Sequence, residues 1–134
     1  MFSTMDISTS ALVAQRTNLD TIAGNIAGMH TTRTPEGGPF RRRIPLFSAG
    51  DGAGRPGVHV SEIVKSNAPF NKVFNPDHPD AVKSGPDAGY VYMPNVDYST
   101  EMINALEAAR IYEANVTVMD MTKTMAASSL RMLA

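Results

Sequence analysis

The sequence predicts an α+β chain in which two long helical arms bracket a small β-rich, turn-rich middle. Three observations support this. All nine prolines fall between Pro35 and Pro94, and eight of the ten glycines fall between Gly37 and Gly89, so both flanks are free to run as helix. The C-terminal flank repeats apolar residues at alternating steps of three and four. The middle holds short β-branched and aromatic runs separated by turn residues.

The N-terminal arm, residues 1–31, is periodic but mixed. Met5, Leu12, Leu19 and Ile26 are seven apart, while the row of Ile22 and Met29 is interrupted upstream by Ser8 and Gln15. Ser3 or Thr4 can cap a helix over 4–27, and Gly28 suits its C-terminal end. The middle, residues 32–97, opens on a turn at 34–39. Residues 40–47 read as a strand that Pro45 confines to an edge. A glycine-rich run spans 49–57. Val58 and Val60 then alternate, and Ile63 falls out of phase with them. Residues 75–80 are dense in turn formers, and a last strand over 89–93 stops at Pro94.

The C-terminal arm, residues 98–134, has the clearest pattern. Met102, Ala105, Ala109, Tyr112, Val116, Met119, Lys123, Ala126, Leu130 and Leu133 follow alternating steps of three and four, and only Lys123 is polar. Ser99 or Thr100 can cap the helix, and Glu101, off the stripe, suits its first turn electrostatically. A helix over 99–133 is about 50 Å long at 1.5 Å per residue.

Two such arms, paired as a coiled-coil-like layer, bury each other's seam, each large side chain contributing roughly 1.5–3 kcal/mol. Ile7, Val13, Ile103, Ile111, Val118 and Met121 lie off the main stripes, so apolar residues extend around both helices. Surplus apolar surface of this kind predicts packing against helices of other chains. Periodicity alone is equally compatible with a self-contained helical hairpin carrying a β insert.

Composition excludes several functions. With 134 residues the chain is one domain or two small ones, and a formal net charge of −1 argues against a nucleic-acid binder. The absence of cysteine removes disulfides, thiol catalysis and cysteine zinc sites. No phosphate-binding glycine loop and no G-x-S-x-G nucleophile motif occurs, and His30, His59 and His78 are scattered, so no catalytic set, cofactor site or small-molecule substrate is expected. Asp77, His78 and Asp80 could offer three metal ligands, but Pro76 and Pro79 make a rigid turn the better account than a metal site. The N-terminus has no basic stretch followed by an apolar run, so a cleaved secretory signal is not expected.

Longer motifs point to a family. Residues 19–31 (LDTIAGNIAGMHT) resemble the N-terminal motif of bacterial flagellar rod and hook proteins. Residues 31–43 (TTRTPEGGPFRRR), 75–81 (NPDHPDA), 89–97 (GYVYMPNVD) and 110–116 (RIYEANV) resemble, in the same order, the proximal type of flagellar basal-body rod subunit. The family usually has asparagine where this chain has Gly24 and Gly28. The resemblance implies a structural, non-enzymatic subunit of the periplasm-spanning rod, the axial shaft for motility. It implies an inner layer made of both terminal helices, and export by the flagellar type III apparatus without a cleaved signal. The implied partners are copies of itself, other rod subunits, the export apparatus and basal-body adaptor or ring proteins, with no nucleic acid.

The expected assembly surface follows. Leu12, Leu19, Ile22 and Ile26 should face Met102, Ala105, Ala109, Tyr112, Val116 and Met119 within or between subunits, with Ala126, Leu130 and Leu133 extending the stripe. Asn25 and Asn115 lie inside family motifs and are the candidates for fixing helix register, since a buried amide must find a partner. Arg41, Arg42 and Arg43 form the only dense basic run. On an extended backbone Arg42 points opposite to the other two, and a solvated edge or ion pairs with neighbouring subunits are expected there.

Overall fold

A computed structural model describes residues 2–50 and 54–134. The order is α1 (Phe2–Ala27), β1 (Arg43–Ala49), β2 (Val58–Lys65), β3 (Asn71–Phe74), β4 (Tyr90–Met93) and α2 (Tyr98–Leu133). The fold class is α+β, with two helices and two separate two-stranded antiparallel sheets. Among the described residues no helix is long and apolar enough to cross a membrane.

The helices match the proline-free flanks, with a correction at each start: α1 begins at Phe2, so Ser3 and Thr4 lie inside it rather than capping it. Asp97, not Ser99 or Thr100, caps α2: its carboxylate accepts from the Thr100 amide at 3.0 Å and from the Thr100 hydroxyl at 2.6 Å. These bonds hold the Asp97 carboxyl below its ordinary pKa. Ala27 ends α1, and Gly28 follows against the Phe40 ring. A Cβ on Gly28 would lie 2.8 Å from that ring, so close approach explains this glycine, while nothing lies near Gly24.

In β1–β2, Pro45 pairs with Ile63 in a sheet whose two strands are both edges, where a missing N–H is tolerated. Leu46 faces Glu62 but Phe47 faces Val60, which leaves Ser61 as an extra residue on β2. Its hydroxyl donates to the Leu46 carbonyl at 3.1 Å. This bulge is the physical form of the phase change between Val60 and Ile63. Residues 51–53 of the glycine-rich run lie outside the described residues.

Strand β3 was not expected. Its four residues are all exposed and carry no alternation, and their pairing with β4 across a 75–89 excursion makes them a strand. The Phe74 and Tyr90 rings meet edge to face at 5.3 Å, and Val91 is buried. The excursion is tied by local turns, with His78 N–H donating to Asn75 O and Ala81 N–H to His78 O.

The end of α1 lies beside the start of α2, so the two run antiparallel, and α1 also packs on β1 and β2. Counting from Asn25 opposite Glu101, α1 is used up near residue 124 of α2. The last turns of α2 therefore overhang by about 14 Å at 1.5 Å per residue. The buried apolar residues among those described are few: Ala14, Ile22, Val91, Val96 and Ala108.

Candidate functional site

The helical pair is shielded along a different row from the one the apolar stripe suggests. On α2 the shielded positions include Glu101, Ala108, Asn115, Thr122 and Ser129, each seven apart, with Ala105, Met119 and Ala126 beside them. Ala105, Met119 and Ala126 belong to the expected stripe, and Ala109 is half-buried at its margin. Met102, Tyr112, Val116 and Leu130 lie on the exposed side, with Leu133 in the overhang. On α1, Ser8, Ala14, Thr21, Ile22 and Asn25 are buried, and Leu12, Leu19 and Ile26 are half-buried. Deep positions are small or polar because α1 is wedged against α2 on one side and β1–β2 on the other. Ser10 illustrates the second contact, its Oγ accepting from the Val58 amide at 3.1 Å.

α2 carries further exposed apolar residues, those past residue 124 lying in the overhang. Ile103, Val118, Met121, Met125 and Met132 are all exposed, Met132 to 81%. Val118, Met125 and Met132 follow Asn115, Thr122 and Ser129 by three residues, about 60° round the helix from the shielded row, with Ile103 and Met121 further round. Val13 and Ile7 add exposed apolar positions on α1.

The densest chemistry lies where the arms join the middle. Glu101 is fully buried. Its Oε2 accepts from Asn25 Nδ2 at 3.1 Å and its Oε1 from Arg42 Nε at 2.5 Å. The Asn25 amide also grips the Arg43 backbone, donating to its carbonyl at 2.9 Å and accepting from its N–H at 2.8 Å. The Arg42 amide donates to Asn95 Oδ1 at 2.9 Å, and Asn95 Nδ2 donates to Ala68 O at 3.1 Å. Among the described residues no buried side-chain polar atom is left without a partner.

Two sequence expectations are corrected here. Arg42 is not a solvated edge or a pair for a neighbouring subunit; it is the internal partner of Glu101. Arg41 and Arg43 do take the other side, over the rings of Phe70 at 4.2 Å and Phe40 at 5.5 Å, and Arg41 also donates to Ser66 O at 3.0 Å. Asn115 bonds the Ile111 carbonyl of its own helix at 2.9 Å rather than reaching α1. Glu101 was read only as a first-turn residue. The signal that could have located it is its place seven residues before Ala108 in the small and polar row.

Elsewhere the polar groups serve loops. Asp80 accepts from the Thr32 hydroxyl at 2.7 Å and lies 3.4 Å from Arg33, and His78 Nδ1 accepts from the Asp80 amide. The 77–80 turn is thus held by its own bonds, and no cluster of three metal-ligating side chains occurs among the described residues. On β3–β4, Asp87 bonds the Tyr92 hydroxyl and Lys72, which lowers the Asp87 pKa and raises that of Tyr92.

Residues 87–132 match the family described as flagellar basal body rod FlgEFG protein C-terminal. Over 99% of its length the chain is 38% identical to the flagellar basal-body rod protein FlgC of Borreliella burgdorferi, covering 97% of that protein. It is 39% identical to the protein of that name from Escherichia coli O6:H1, over 97% of this chain and 96% of that one. For Bacillus subtilis the identity is also 39%, over 96% of this chain and 95% of that protein.

Proposed function

The chain belongs to the FlgC family of flagellar basal-body rod proteins, and from that premise we infer that its two terminal helices are the part that builds the rod. It is a structural subunit of the proximal rod, not an enzyme. Its neighbours are other rod components, including further copies of itself.

The observation that supports the helical reading is the apolar surface left exposed on α2. One side of α2 meets α1, while Met102 and Val116 on one flank, Met121 on the other, and Met125, Leu130 and Met132 in the overhang are exposed. A helix apolar on two sides leaves one uncovered in the single chain, and exposed apolar surface of this extent marks a contact with further chains. Covered by neighbouring subunits, the arms form a coiled-coil-like inner layer, with residues 32–97 on the outside. The interface comprises the half-exposed stripe named above together with Leu12, Leu19 and Ile26 of α1. The subunit reaches the rod through the flagellar type III apparatus, and the outer portion meets basal-body adaptor or ring proteins.

Substituting Val116→Asp or Leu130→Asp tests the reading. Both side chains are solvent-accessible, so the chain is made and folds. A carboxylate placed in a dry contact stops rod completion, so basal bodies lack filaments and cells do not swim. Normal swimming by both variants overturns the interface.

A further inference from the structure

The two helices meet over a surface that does little to fix their relative position. Apart from Ile22, the buried residues described on α1 are Ser8, Ala14, Thr21 and Asn25, and the seven-spaced row of α2 holds Ala108, Asn115 and Thr122; side chains this small interdigitate weakly. A slip of seven residues, about 10.5 Å, moves each member of that row into the place of the next, small or polar for small or polar. At one end alone the contact is sharply specific. There Glu101 divides its two oxygens between α1 and the chain entering β1. Asn25 clasps both polar groups of the Arg43 backbone, and Asn95 holds the Arg42 amide from just before α2. A slip of α1 breaks the bonds of Asn25 to Glu101 and to the Arg43 backbone, and a slip of α2 breaks both bonds to Glu101.

We propose that the Asn25–Glu101–Arg42 cluster is a register lock, with Glu101 the positioning residue that sets α2 against α1 and against the β1–β2 hairpin. A buried ion pair is a poor source of net stability, because desolvating its charges offsets most of their attraction, and apolar replacements are often neutral or stabilising. Its attested use is to select one arrangement among several of similar packing energy. The register decides which residues of α2 are shielded and which face outward. The lock acts within one chain, so it holds whether or not the exposed apolar residues are a rod contact.

The chain has no cysteine, so spin labels can be placed cleanly on the full chain at Ala23→Cys and Thr117→Cys, both exposed positions. They lie about 21 Å apart along the axis at 1.5 Å per residue. The wild-type background should give one narrow distance by pulsed electron–electron resonance. The apolar replacement Asn25→Leu, Arg42→Met, Glu101→Leu should keep its helical circular dichroism yet show a distance displaced by about 10 Å, or two populations separated by that amount. An unchanged single distance in the triple variant overturns the proposal, since the apolar seam then sets the register. Loss of helix in that variant overturns it too, because the cluster is then a source of stability rather than position. A broad distribution in the wild-type background overturns it at the outset.

Discussion

Removing one member of the buried pair differs from replacing all of it. In Glu101→Ala the Arg42 guanidinium loses its carboxylate and Asn25 Nδ2 keeps only the Arg43 carbonyl. Breaking a buried ion pair from one side costs about 3–5 kcal/mol, because the surviving charge is left without compensation. The Arg42 side chain retains 27% of its exposure and can recover some hydration, which places this variant near the lower bound, about 3 kcal/mol. Arg42→Met strands the opposite charge. The carboxylate it leaves has no access to water, which places that variant near the upper bound, about 5 kcal/mol. Glu101→Gln keeps an oxygen for Arg42 but turns an amide N–H toward the Asn25 amide, whose own oxygen is committed to the Arg43 N–H, so about 2 kcal/mol is expected. The assay is urea unfolding of the full chain followed by far-UV circular dichroism, comparing midpoints at constant slope. The order Arg42→Met, Glu101→Ala, Glu101→Gln is the signature. A cost below about 1 kcal/mol for Glu101→Ala, or a reversed order of the first two, refutes the assignment of burial and charge at this junction.

Further predictions follow from the same packing. Ala108→Leu, at the deepest point of the α2 seam, should cost about 1–3 kcal/mol through overpacking. Leu130→Ala, at a site 68% exposed, should stay within about 0.5 kcal/mol of wild type in the same urea assay. Gly28→Ala drives a methyl into the Phe40 ring and should destabilise by about 1–3 kcal/mol, whereas Gly24→Ala, with open space around it, should stabilise by roughly 0.5–1 kcal/mol; thermal melts distinguish the two signs. The Asp97 carboxyl titrates below its ordinary value of 3.8 in the folded chain, so its cap contributes fully above that pH and is lost as pH falls through the lowered value. Helix content on acid titration should therefore decline later in wild type than the unfolded carboxyl value alone suggests, and Asp97→Ala should lose the contribution of the cap at neutral pH already.

The middle of the chain shows how local signals translate into structure. Pro45 marked an edge, and the phase change at Ile63 marked a bulge at Ser61, because each concerns a single strand and its own backbone. β3 left no mark. Its residues carry no pattern, and only pairing with Tyr90–Met93 gives them extended partners. Arg41 to Arg43 were legible as alternating sides of an extended backbone, but not as one buried pair and two ring contacts, since those depend on which elements the chain brings alongside.

The two helices, their lengths and the turn-rich segment between them were determined by the sequence itself, through proline-free flanks and a repeated apolar spacing that local backbone geometry converts directly into helix. The family was also legible, because its motifs run in order along nearly the whole chain. Tertiary structure alone decided which face of α2 meets α1. Periodicity identifies the residues that want to leave water, and α2 carries more of them than one partner can cover. The choice therefore fell to groups far apart in sequence, where Asn25 and Glu101, 76 residues apart, find each other and Arg42. A buried carboxylate is tolerated only where both of its partners arrive together, and no short window of sequence contains all three.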